Sequence, residues 1–263
     1  MITSRSEALV LGLSDYGEGH RLVRLFDRET GLVKAFAPAA RKSRKRYGGT
    51  LEPMAHLEVV LTRRPGRDLP SLDEARVLHL RLTLREHLER IFLGTYLVEL
   101  TGMILREDQP QAALFDLLVA ALDGLDGKEE GREGILSPWG RIAMDHAILE
   151  SYGAAPHLAA CASCGRTPEA ERSRYSVREG GLCCQQCQPH WLPDDRTLLR
   201  RTRQALLALA GAGVSAELLA RAAGLPADDL EAIEEARRAL EDTLEALLGR
   251  APKSRALLDA TLR

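Results

Sequence analysis

Aromatic residues make up only 4% of this 263-residue chain, so its cores must be built mainly from Leu, Val, Ile and Ala. No stretch approaches the roughly 18 uninterrupted apolar residues that a membrane-spanning helix needs. The opening segment carries Arg5, Glu7, Asp15 and Glu18 where a signal peptide would place an apolar run, which points to the cytoplasm and to no membrane role. Gly-rich phosphate loops, G-x-S-x-G elbows and H-E-x-x-H pairs are all missing. The seven histidines are scattered, and Asp145-His146 beside Trp139 reads as a structural pair. The expectation is therefore a protein that is not an enzyme. What remains, 45% apolar and 28% charged residues, is the composition of a folded chain and not of a disordered one.

The net charge of -2 conceals an asymmetry. Residues 1–80 hold 14 Lys/Arg against 10 Asp/Glu, whereas residues 81–263 hold 22 against 28. Within 34–67 the count is nine basic to two acidic. A basic segment on an otherwise acidic chain makes a polyanion its natural partner.

The first eighty residues read as short strands. Glu7–Leu13 alternates, with Leu9, Leu11 and Leu13 on one face; His20–Asp27, Leu32–Ala37 and Met54–Thr62 follow, and Leu69–Val77 supplies a fifth. Five strands without an intervening helical period predict a small antiparallel barrel. From about Leu82 the period turns helical, over Leu84–Leu105, Ala112–Leu125 and Trp139–Tyr152, the last entered through Ser137-Pro138. The polar, Gly-rich run Asp123–Gly134 predicts an exposed loop. Helices resume over Thr197–Ala210, Ser215–Ala223 and Ala227–Leu248.

All five cysteines fall within 27 positions. Cys161-Ala-Ser-Cys164 and Cys184-Gln-Gln-Cys187 are two C-x2-C pairs, each able to form a knuckle whose thiolates point at one ion. Disulfides are disfavoured in a reducing cytoplasm, and a thiol-redox motif needs one pair, not two. Cys161, Cys164, Cys184 and Cys187 are thus the expected ligands of one structural Zn2+, closed to catalysis because no position is open. Equal spacing favours Cys184 over its neighbour Cys183, which is left as a spare thiol.

The second motif is Ala39–Thr50, AARKSRKRYGGT, which packs Arg41, Lys42, Arg44, Lys45 and Arg46 into six positions. Such a run neutralises phosphates and releases their counterions, giving affinity without sequence preference. Tyr47 is positioned to stack on a base, and Gly48-Gly49 lend the loop freedom. Arg21, Arg24 and Lys34 on neighbouring strands extend the patch. The plainer alternative is a solvated charge run; its place between two strands of a small barrel argues for a ligand site.

Taken in order, ALVLGLSDYGEGHRLVRLF, TGLVKAFAPAARKSR, LEPMAHLEVVL, SLDEARVL, CASCG, GGLCCQQC and the late KSR resemble the bacterial recombination mediator family RecO across nearly the whole chain. Ala39-Ala40 stands where that family usually has Gly before its basic run, and Cys183 is an addition to its pattern. The resemblance implies an α+β multidomain fold: an N-terminal OB-fold barrel (1–80), an α-helical domain (81–156 and 192–263) and an inserted four-cysteine zinc finger (157–191). It implies binding of single- and double-stranded DNA, annealing of complementary strands, partnership with RecR, contact with the single-strand-binding protein and, indirectly, loading of RecA, at the nucleoid in the cytoplasm. Two other classes compete. One is a zinc-stabilised interaction scaffold without a DNA role; the other is a thiol-dependent enzyme, which a zinc-occupied cluster would exclude.

Overall fold

The computed structural model describes residues 1–42, 44–47, 50–127, 133–168, 170–187 and 193–261, with the backbone alone for Arg44, Lys45 and Glu133. The chain divides into two compact units, Met1–Lys128 with Pro252–Arg263, and Glu129–Ala251.

In the first unit, β1 (Ile2–Tyr16), β2 (His20–Asp27), β3 (Gly31–Ala37), β4 (His56–Arg63) and β5 (Ser71–His79) close into a barrel in the order β1-β2-β3-β5-β4. A four-residue helix, α1 (Arg44–Tyr47), sits in the connection from β3 to β4. Leu57, Val59 and Leu61 fill the interior as their alternation predicts, together with Ala8, Val10, Val23, Leu25, Val33 and Ala35. The face of β1 differs from the prediction. A barrel this small takes Ala8 and Val10 inward, while Leu9 and Leu11 are buried on the outside, where Leu11 approaches Gly102. A shift of register between Val10 and Gly12 brings Leu13 back against the core. Apolar residues on both faces of β1 therefore mark a strand covered on both sides.

The cover comes from α2 (Leu88–Ile104) and α3 (Ala112–Asp126), and α8 (Lys253–Thr261) packs on α2, so these helices share a compact unit with the barrel. Phe115 of α3 meets Phe26 of β2 edge to face, with ring centroids 5.3 Å apart. The Lys253-Ser254-Arg255 run opens α8, and Glu99 of α2 accepts the N–H groups of Lys253 (3.0 Å) and Ser254 (2.9 Å). That carboxylate serves as the missing cap of α8.

Asp123–Gly134 departs from the expected exposed loop. Its first residues form the last turn of α3, where Asp123 and Asp126 are buried, and residues 128–132 lie outside the described residues. The polarity that suggested a loop has a buried partner. Arg81, 1% exposed, reaches Asp123 at 2.7 Å and donates to the carbonyl of Met54 at 2.7 Å, while Asp126 accepts the N–H of Leu84 at 2.9 Å. A guanidinium buried this fully is tolerable only because it is paired.

In the second unit, α4 (Gly140–Tyr152) is nearly all buried against α5 (Arg200–Ala210), α6 (Glu217–Ala223) and α7 (Leu230–Leu248). Asp145 and His146 sit inside it, Asp145 lying 3.8 Å from Arg141, in keeping with a structural role. Asp229 caps α7 by accepting the N–H of Ala232 at 3.1 Å. Three short strands, β6 (Arg172–Ser176), β7 (Gly181–Cys183) and β8 (Arg196–Leu199), pair antiparallel in the order β7-β6-β8. Thr197–Leu199 is therefore strand and not the start of a helix. Its backbone finds partners on β6, which overrides the helical reading of LLRRTRQALL.

Candidate nucleic-acid interface and metal centre

The basic segment lies in the connection from β3 to β4 of the barrel. After β3 the chain turns at Ala39, whose φ of 56° falls in the left-handed region where a Cβ is strained. The turn is held by two bonds: the Ala39 N–H donates to His20 Nδ1 at 2.9 Å, and the Arg41 N–H to the Gly19 carbonyl at 3.1 Å. Replacing Ala39 with glycine removes the strain, and Ala39→Gly is expected to raise stability by up to about 1 kcal/mol, read as a higher midpoint in urea.

Arg41, Lys42 and Arg46 are exposed on this turn. The side chains of Arg44 and Lys45, and both Gly48 and Gly49, lie outside the described residues. Arg21 and Arg41 share Asp15, at 3.2 and 3.8 Å, in exposed ion pairs weak enough for a phosphate to displace. Lys34 is exposed and paired to Glu107 at 2.9 Å. Arg24 is spoken for more firmly: its guanidinium donates to the carbonyl of Gly102, at the end of α2, at 2.5 Å.

Tyr47 corrects the expectation of a stacking residue. It is 1% exposed, packs in the barrel core, and donates its hydroxyl to the Leu72 carbonyl at 2.6 Å. Burial pushes its pKa up to about 12. With Tyr47 facing inward, the exposed cations of the same turn are left facing water. The tyrosine plugs the barrel and anchors the basic turn.

A second feature went unread in the sequence. A groove of about 640 Å³ opens beside the turn, bounded by Tyr16 at the end of β1, Phe36 of β3, and the β4–β5 connection with Arg64, Arg67 and Leu69. Tyr16 is 56% exposed, and its ring meets Phe36 edge on at 5.9 Å. The His20 ring also lies 5.1 Å from Phe36. The available signal was that Tyr16 ends a strand with a turn sequence after it, so that its ring has no layer above to cover it.

In the second unit the four sulfurs of Cys161, Cys164, Cys184 and Cys187 lie within 4.8 Å of one another. Four thiolates about 2.3 Å from a tetrahedral zinc stand about 3.8 Å apart, and Cys164 and Cys184 are separated by 3.7 Å. The donor set fits a metal ion. Local backbone prepares it: the N–H of Gly165 closes the first knuckle on the Cys161 carbonyl at 2.9 Å, and the Cys184 N–H donates to the Cys161 sulfur at 3.3 Å. Burial opposes ionising Cys161, but backbone N–H groups from Cys184, Cys164 and Ser163 outweigh it and bring its pKa down to about 6. Cys187 is instead pushed up to about 12, its thiol proton held by donation to the sulfurs of Cys164 and Cys184. Cys183 is excluded from the cluster. On β7 its side chain faces the opposite way from its neighbour, into the interior, and burial pushes its thiol up.

The cluster is tied to its own unit by two devices. Gly181, at φ 150°, runs so close to His157 that a Cβ would stand 2.3 Å from that residue's carbonyl oxygen, so only glycine fits. Arg203 of α5 donates to the carbonyls of Leu158 (2.7 Å), Ala159 (2.6 Å) and Pro168 (2.9 Å), holding the segment on both sides of the first knuckle.

Two family profiles account for almost the entire chain: recombination protein O N terminal over residues 1–81, and recombination protein O C terminal over residues 85–256. The chain is 38% identical over 262 residues to the DNA repair protein RecO of Anaeromyxobacter dehalogenans, covering 98% of this chain and 97% of that protein. It is 38% identical over 181 residues to the protein of the same name from Myxococcus xanthus, covering 69% and 71%. A third relative so named, from Geobacter sulfurreducens, is 35% identical over 202 residues, covering 77% and 80%. Among the described residues no helix is long and apolar enough to cross a membrane.

Proposed function

The chain belongs to the recombination protein O family, and from that premise we propose that it is a cytoplasmic DNA repair and recombination mediator that binds DNA and anneals complementary strands. One observation carries this reading: Tyr47 is rooted in the barrel while Arg41, Lys42 and Arg46 of the same turn face water, a cationic ridge on a rigid base. Two DNA strands repel through their phosphates, and a polycationic surface that neutralises both brings them together without bond chemistry. On this reading the barrel is an OB-fold. Arg41, Lys42, Arg44, Lys45 and Arg46 make the phosphate contacts, supported by Arg21 and Lys34, and Arg24 contributes charge while bonded to Gly102. The four cysteines hold one zinc that stiffens their unit and supplies no catalysis. RecR, the single-strand-binding protein and, indirectly, RecA are the partners of the proposed role. No nucleotide is hydrolysed.

Annealing is the direct test. Complementary fluorescent strands are expected to pair at least about 10-fold faster with the protein than without, in the absence of any nucleotide, as charge neutralisation requires. Unaccelerated pairing at every protein concentration would favour the scaffold reading instead.

A further inference from the structure

Strand β1 outruns one of its neighbours. It pairs with β4 along Ile2–Leu9, but with β2 only from Ala8 onward. β2 ends at Asp27, and the Arg28 N–H just beyond it donates to the Glu7 carbonyl at 3.0 Å. Successive residues of a strand turn their backbone groups to opposite edges. Val10 bonds Met54 and Ala55 on the β4 side, while Glu7 bonds the other way. Ser4 and Ser6 therefore turn their N–H and C=O groups to β4, and Thr3 and Arg5 turn theirs outward. Among the described residues nothing pairs with that outward edge.

An open edge recruits another strand unless a proline, a bulge, a free charge or a covering element guards it. Residues 2–7, ITSRSE, contain no proline, and their register with β4 runs unbroken from Ile2 to Leu9. Both charges of the stretch are tied back to β4. Arg5 lies on Glu58 at 2.7 Å, and Glu7 is bonded to His56 at 3.1 Å. Ile2 is 72% exposed and Thr3, Ser4 and Arg5 are exposed as well, so no described element covers the edge.

We propose that this edge joins a second copy of the chain, the two β1 strands running antiparallel about a two-fold axis at Ser4. The edge is complementary to itself. With Ser4 opposite Ser4, Thr3 of each copy stands opposite Arg5 of the other, and each such pair exchanges both of its outward backbone hydrogen bonds. Ile2 then lies opposite the small side chain of Ser6. The two Arg5 side chains come near each other, but each is already neutralised by its own Glu58. The β5-β4-β1 sheets of the two barrels become continuous. So small a contact, mostly backbone, makes a weak and reversible dimer. Under the annealing role proposed above, the dimer carries two basic turns, one for each strand; the association itself does not depend on that role.

Analytical ultracentrifugation of the full chain over a concentration series tests this, for wild type, Thr3→Pro and Ser4→Cys. Wild type is expected to move from the mass of one chain toward that of two as concentration rises to about 100 μM, as a small transient interface requires. Thr3→Pro deletes an outward N–H and leaves every bond to β4, so the barrel persists, which a thermal melt verifies. It is expected to weaken self-association at least about 10-fold, because the symmetric contact loses two hydrogen bonds. Ser4→Cys sets two thiols opposite each other at the axis, with Cα atoms about 4.5 Å apart in a non-hydrogen-bonded pair, within the span of a disulfide. Oxidised glutathione is expected to link Ser4→Cys, but not wild type, into a covalent dimer that a reductant dissolves. A wild type that stays monomeric at every concentration, with Ser4→Cys left unlinked, overturns the proposal. So does a dimer that Thr3→Pro does not weaken and Ser4→Cys does not lock, because its contact lies elsewhere. No arm contains DNA, so failure of the DNA reading leaves the result standing.

Discussion

Replacing Cys161, Cys164, Cys184 and Cys187 together with serine, or stripping the metal with a strong chelator, is expected to unfold the segment around residues 157–187 and to lower the melting temperature of the whole chain. Apart from the bonds of Arg203 and the pairing of β6 with β8, the segment has little else to hold it. Its strands β6 and β7 are five and three residues long, and its own apolar content is a few side chains such as Leu158, Tyr175 and Leu182. Structural zinc contributes about 10–16 kcal/mol of binding free energy in small fingers, comparable to the whole stability of an ordinary domain. The expected results are one zinc per chain by atomic emission and loss of amide-exchange protection over 157–187 when it is removed. Acid should release it as well, because the ligands must be thiolates. Cys183→Ser is the control: that thiol lies outside the cluster, so metal content should stay at one per chain. A metal-free protein with the same melting temperature would contradict the assignment. The barrel belongs to the other compact unit, so DNA binding by the isolated turn chemistry is expected to survive better than the melting temperature does.

Changing Arg41, Lys42, Arg44, Lys45 and Arg46 to Glu is expected to weaken DNA binding by at least about 100-fold at moderate salt, for single strands and duplex alike. The turn would then repel phosphates instead of attracting them. Folding is expected to persist, because the described members of the set are exposed and the anchor of the turn, Tyr47, is left in place. This separates the two readings that compete for the chain. A scaffold whose basic run is incidental would lose nothing of its own role; a mediator loses its substrate.

Much of this was legible in the sequence because the governing constraints are local. The C-x2-C pairs announced the four-cysteine cluster, and Cys184 lies in it while its neighbour Cys183 does not, since adjacent residues at the end of a strand face opposite ways. The alternation Leu57, Val59, Leu61 announced a barrel wall. Misreadings arose where a distant partner decides. Tyr47 looked like a base platform because its neighbours are cations, yet the Leu72 carbonyl and the barrel interior claim it. Asp123 and Asp126 looked like loop residues until Arg81 and the N–H of Leu84 supplied buried partners. Thr197–Leu199 pairs with β6 across more than twenty residues, which a periodicity cannot foresee. The groove at Tyr16 and Phe36 exists only because β1, β3 and the β4–β5 connection meet, and none of the three segments carries it alone.

The central claim, that phosphates are bound on the basic turn, is tested most directly by titrating salt against single-strand affinity for wild type and the five-fold Glu variant side by side. Each phosphate contact contributes a slope of about 0.7 in log K against log salt on single strands, so loss of up to five contacts should flatten the wild-type slope by up to about 3.5. Steep dependence in the wild type and a shallow one in the variant is the predicted result. Parallel lines of equal affinity would contradict it and take the DNA site away from residues 41–46.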